Sequence, residues 1–240
     1  MTGTLTIKRF GVLLIGIIAV SCPARAEGES ELSEFTKAFL HSVWVMENVR
    51  DSMQPYYGSS GSDFPEKLSA DTAPHVLQTA RENILDAGEG MTTYLKSSNR
   101  AISGAASSMQ KTLQQQAVLF AELNRLIQES ARRSPGSMDA NLTKQRKRWA
   151  WINSRFDQMS LHSAGIIEKA LCPPAKHGQE RRLTITQSER EELIGYIDTY
   201  FPEAKLSDKT KNPKVTSQFR TAFAPASLIR SLLVGPLASK

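Results

Sequence analysis

Between residues 30 and 171, apolar side chains return at spacings of three and four, the period of one face of an α-helix. A chain patterned this way over so long a stretch folds as packed helices, because each apolar stripe leaves water only against another element. The first stripe, over about Glu29 to Gln54, consists of Leu32, Phe35, Phe39, Val43, Met46, Val49 and Met53, and Pro55 stops it. Tyr56 to Ser62 then reads as a tyrosine-bearing loop rich in Gly and Ser. A second helix starts near Ser69 or Asp71 and carries Pro74 in its first turn, where the missing N–H costs nothing. Leu77, Ala80, Ile84, Ala87, Met91 and Leu95 line it.

A third segment, about Ala101 to Arg133, continues the period with Ile102, Ala105, Met109, Leu113, Gln116, Phe120, Leu123 and Ile127. No proline separates it from the second, so the period alone permits one long helix. A bundle needs a reversal, and Gly88, Gly90 and the stretch from Ser97 to Gly104 are where a break costs least. Ser134 to Ser137 is a turn by composition, and the fourth stripe, Trp149, Ile152, Phe156, Met159, Ser163 and Ile166, runs to Leu171 before Pro173-Pro174. Four such helices joined by short turns predict an all-α, up-down-up-down bundle over residues 27–172. Residues 173–240 predict a linker and a small helical C-terminal subdomain. Thr186 with Glu189 spells a capping box that opens a short helix closed by Pro202. Phe219, Phe223, Leu228, Ile229, Leu232 and Leu233 suggest one more helix, kinked or split at Pro225. Leu183 to Thr186 is the one brief run with strand-like alternation.

The first 26 residues have a different character. Lys8 and Arg9 precede an uncharged apolar run from Phe10 to Ser21, and Ala24-Arg25-Ala26 offers the small residues that a signal peptidase reads. The run is about 18 Å long as a helix, short of a bilayer core of about 30 Å. A cleaved signal peptide and a periplasmic or secreted product are therefore expected. Ala19-Val20-Ser21-Cys22 loosely resembles a lipobox, which would anchor the chain through Cys22 instead, but Ala19 and Pro23 fit that pattern poorly. Lys8, Arg9 and Arg25 leave with the signal, so the net charge of +6 falls by three. Half of the apparent basicity is then discarded, and nucleic acid is not an expected partner. The mature chain keeps one cysteine, Cys172, so its stability cannot rest on an intrachain disulfide. Cys172 reads as a small apolar residue closing a helix, or else as a candidate for an intermolecular disulfide.

Motifs for chemistry are missing. None of His41, His75, His162 and His177 follows a glutamate by three residues, so the Glu-x-x-His pattern of di-iron bundles is absent. Neither Cys-x-x-Cys-His nor His-Glu-x-x-His occurs, and no metal or other cofactor is expected. Ser108 and Lys111 match Ser-x-x-Lys by chance, without the companion motifs that nucleophile needs. Two basic clusters remain. Lys144, Arg146, Lys147 and Arg148 precede Trp149 and Trp151, while Lys176, Arg181 and Arg182 follow the fourth helix. The first is the candidate site for an anionic partner, with its cations toward solvent and Trp149, Ile152 and Phe156 toward the core. The expectation is a non-enzymatic binding protein, a scaffold, adaptor or sensor-like module. It would meet an unknown protein or an anionic envelope component, with weak membrane-surface contact at most. A helical cell-wall hydrolase using a lone Glu as general acid is the enzyme alternative, and it requires a carboxyl with a raised pKa in a cleft. A secretion-apparatus subunit, the third, requires an exposed apolar patch on the last helix.

Overall fold

A computed structural model describes residues 30–58, 62–132, 138–174, 181–202, 204 and 223–235, with backbone alone at 138–141. Six α-helices account for most of these residues, and no strand forms among them: α1 (Glu31–Met53), α2 (Ala73–Glu89), α3 (Arg100–Ala131), α4 (Met138–Leu171), α5 (Gln187–Tyr200) and α6 (Ala224–Val234). The chain is an all-α helical bundle. Cys22 and the rest of residues 1–29, Lys176, His177 and Phe219 lie outside the described residues.

The sequence sets the boundaries through caps. The Ser30 hydroxyl accepts from the Ser33 N–H at the start of α1. Pro74 sits in the first turn of α2, and Gly90 ends that helix. A 3₁₀ turn over Thr92–Lys96 and the cap Asn99, which accepts from the Ala101 N–H, complete the reversal into α3. The second and third stripes are thus two helices, because the glycines and the asparagine make the break cheaper there than elsewhere. Pro225 does not kink the last helix. It occupies the first turn of α6, where a proline removes no intrahelical hydrogen bond. The run from Leu183 to Thr186 belongs to no sheet. The Thr184 N–H and hydroxyl donate to the Leu171 and Ala170 carbonyls at 2.8 and 2.9 Å, satisfying the end of α4.

Contacts fix the directions. Phe35 meets Tyr94 and the Ser42 hydroxyl lies 3.4 Å from the Ala87 carbonyl, so α1 and α2 are antiparallel. Gln110 donates to Gly88 and Gln128 to Ala70, which reverses α3 against α2. Gln116 donates to Asn153 and Phe120 packs on Trp149, which reverses α4 against α3. This is the up-down-up-down order. α5 runs alongside α1 in the same direction, from the Ser30–Glu189 contact through Lys37–Glu192 to Trp44–Tyr200. α6 returns antiparallel to α5, and Arg190 donates to the Leu233 and Gly235 carbonyls at its end. The stripes point inward as the period demands. Phe35, Phe39, Val43, Met46, Leu77, Ile84, Met109, Leu113, Phe120, Trp149, Ile152 and Phe156 are all buried. On α4, Ile167 takes the place expected for Ile166, which is half-buried. Leu193, Ile197, Ile229 and Leu233 join the same buried cluster, so the C-terminal helices share the core of the bundle.

Glu189 ties the start of α5 to the start of α1. One carboxylate oxygen accepts from the Ser30 N–H at 2.6 Å, and the other accepts from the N–H and hydroxyl of Thr186 at 2.7 and 2.8 Å. Burial opposes its ionisation, but these hydrogen bonds outweigh it and hold the carboxyl below the ordinary value. A depressed pKa contributes stability above the unfolded value, near 4.5, that is lost as pH falls through the folded one. Glu189→Ala should therefore cost about 1–3 kcal/mol at pH 7, and less in acid, in urea denaturation.

Candidate functional site

The basic run at the start of α4 divides when it meets its neighbours. Lys144 and Lys147 are exposed. Arg146 instead binds Glu66 at 2.6 Å and lies over the Phe64 ring, pinning the loop before α2 to α4. Arg148 pairs with Glu122 of α3. A Cβ at Gly58 would meet the Glu66 carboxylate, so glycine there leaves that side chain room to reach Arg146. Two cations of the run are therefore paired with acids from other elements, and two are not, among the described residues.

The free lysines belong to a longer row. Helical spacing carries the outward face of α4 from Lys144 and Lys147 through Trp151 and Arg155 to Lys169. Trp151 is 55% exposed and lies one turn from Lys147 on one side and from Arg155 on the other. The Arg155 guanidinium sits 5.4 Å above its ring. No ion pair holds Lys144, Lys147, Arg155 or Lys169 among the described residues. The acids of residues 142–171 are Asp157 and Glu168, and Asp157 is turned inward. Trp151, Arg155 and Lys169 were legible in the sequence as recurrences at four and seven residues, but a search for adjacent charges passes over them.

A second constellation is internal. Arg50 of α1 bridges Glu47, at 3.0 Å, and Asp157 of α4, at 2.8 Å, while its guanidinium lies 5.5 Å from the centre of the Phe156 ring. Side-chain exposures of 19, 16 and 23% for Arg50, Glu47 and Asp157 leave the three largely dry. Burial pushes the Glu47 carboxyl up to about 7, and Asp157 and Asp51 add to the rise while Arg50 opposes it. Burial works against the Arg50 charge, but Asp157 and Glu47 outweigh it and raise its pKa. The tyrosine loop is less open than its composition suggests. Tyr56 and Tyr57 are half-buried, and the Tyr57 hydroxyl donates to the Arg50 carbonyl at 3.3 Å. Burial, and then the nearby Asp63, push that hydroxyl up to about 12.

The remaining sequence candidates are dispersed. Cys172 is enclosed at the end of α4, 1% exposed, which keeps its sulfur from a second chain's cysteine. His41 stacks on Trp44, and burial lowers its pKa; His75 and His162 are exposed. Among the described residues, no three His, Cys, Asp or Glu side chains gather as a metal site. Arg181 and Arg182 are exposed. Ser108 is half-buried and Lys111 exposed on α3. A shallow groove of about 490 Å³ lies between α2 and α3, floored by Leu85, Ala117 and Ala121. The last helix buries Ile229, Leu232 and Leu233 and leaves Val234 as its exposed large apolar side chain. No protein-family model matches the chain, and no curated protein or solved structure is similar to it.

Proposed function

We propose that this is an exported, non-enzymatic helical bundle that works by binding an anionic component of the cell envelope, as a scaffold, adaptor or sensor-like module. The reading rests on one observation, the cations along the outward face of α4 that form no ion pair among the described residues. Such a row attracts polyanions and is screened by salt. The mature protein should be retained on an immobilised acidic polymer and released by raising the ionic strength. Joint replacement of Lys144, Lys147, Arg155 and Lys169 by Gln should abolish retention and leave stability within about 1 kcal/mol, because none of the four is ion-paired. Equal retention of the variant would overturn the assignment.

Glu47 favours a second reading, a cell-wall hydrolase, since a carboxyl that keeps its proton to about pH 7 meets one requirement of a general acid. Clearing of wall polymer by the mature protein, and its loss in Glu47→Gln, would support that reading against the first.

A further inference from the structure

The outward face of α4 combines two features that a soluble polyanion does not need together. Lys144, Lys147 and Arg155 flank an exposed indole, Trp151, and Lys169 stands about 21 Å beyond Arg155 at about 1.5 Å per residue. From Lys144 to Lys169 the row is about 37 Å long at about 1.5 Å per residue. Trp151, 55% exposed, stands out from the helix. The α3–α4 register, set by Gln116 with Asn153 and Phe120 with Trp149, brings Val118 to the height of Trp151. Val118 is itself 50% exposed and lines the groove between α2 and α3.

A flat, negatively charged, amphipathic partner fits a face of this kind. Tryptophan concentrates at the boundary between lipid headgroups and acyl chains, where its ring is apolar and its N–H stays wet. Lysine and arginine within reach of anionic headgroups add electrostatic attraction, and their long stems let the charges rise to the phosphates. No described helix is long and apolar enough to cross a membrane, so contact through this face is peripheral. We infer that the outward face of α4 lies along an anionic phospholipid surface, with Trp151 seated at headgroup level and Lys144, Lys147, Arg155 and Lys169 against the phosphates. This rests on the anionic-partner reading above and names the partner.

The test uses the mature full-length chain and sedimentation with vesicles of phosphatidylcholine, alone or mixed with phosphatidylglycerol. Wild type should bind the mixed vesicles, and binding should fall as salt rises. Trp151→Ala should weaken that binding about tenfold while leaving retention on the acidic polymer unchanged, because the indole contributes only where there is a headgroup layer to enter. Replacing the four cations by Gln should weaken vesicle binding about a hundredfold or more. The blue shift of tryptophan fluorescence on mixed vesicles should disappear in Trp151→Ala, although Trp44 and Trp149 remain. Helical circular dichroism checks that both variants fold, as expected for exposed sites. Equal binding to neutral vesicles, or a Trp151→Ala variant that binds as wild type does, would overturn the lipid assignment. Retention on the polymer without vesicle binding would sink the lipid surface and leave the anionic partner standing, whereas failure on both would sink both.

Discussion

Trp149→Ala should cost about 3–5 kcal/mol, the largest effect expected of a single truncation on α4. The ring is 1% exposed and is gripped from two sides by Phe64 at 5.8 Å and Phe120 at 5.1 Å, both edge-on. Phe120 belongs to α3 and Phe64 to the loop before α2, so the cavity left behind would open where three elements meet. Helices of this length cannot collapse into such a space without shifting their register. The cost is a large share of the roughly 5–15 kcal/mol that holds a domain folded. Trp149→Phe should be much milder, about 1 kcal/mol. It keeps a ring between the two phenyl groups and removes the indole N–H, a buried donor without a partner among the described residues. Urea midpoints for the two variants check the pair, and a Phe variant as damaged as the Ala variant would contradict this account of the site.

Arg50→Met should cost about 3 kcal/mol or more at pH 8, because it strands two largely dry carboxylates, Glu47 and Asp157, with no cation between them. Its effect should shrink in mild acid, where Glu47 takes up a proton. The sign follows from the direction of the Glu47 shift. Its folded pKa, about 7, lies above the unfolded value near 4.5, so the folded state binds the extra proton in between. The resulting stabilisation is complete below the unfolded value and is lost as pH rises through the folded one. Between about pH 5 and 8 this amounts to roughly 2–3 kcal/mol for wild type. His41 acts in the opposite sense. Burial lowers its pKa, so its contribution is complete above 6.5 and is lost as pH falls below that. Glu47→Gln leaves His41 in place, and the difference between the wild-type and Glu47→Gln stability curves isolates the glutamate. The variant should gain on wild type by about 2–3 kcal/mol as pH rises from 5 to 8. Parallel curves across that range would show that Glu47 does not titrate there.

The pairing of Glu47, Arg50 and Asp157 also shows where sequence reasoning stops. Glu47 and Arg50 lie three residues apart on one helix, a spacing open to inspection, but Asp157 arrives from another helix more than a hundred residues later. The candidate binding face divides in the same way. The period alone put Trp149, Ile152 and Phe156 inside and the basic residues outside; the three apolar residues are buried and Lys144, Arg146 and Lys147 exposed, while Arg148 is half-buried. The period could not say that Glu66 claims Arg146 or that Glu122 claims Arg148, nor that the unpaired cations continue to Arg155 and Lys169 with Trp151 among them. Tyr57 follows the same rule. Its loop is polar by composition, yet its hydroxyl finds a carbonyl on α1 only once the chain has turned back.

Helix existence, helix ends and the inward face of each helix were determined by the sequence itself, because they depend on side chains within four residues of one another and on caps such as Ser30, Asn99 and Thr186. Which charges are paired, which are left to a partner, and that Glu189 clamps the first turn of α1 were decided by the tertiary structure. These depend on the height at which one helix meets the next. That register is fixed by how side chains such as Phe64, Phe120 and Trp149 interlock, and a repeat of three and four residues, the same at every turn, carries no record of it.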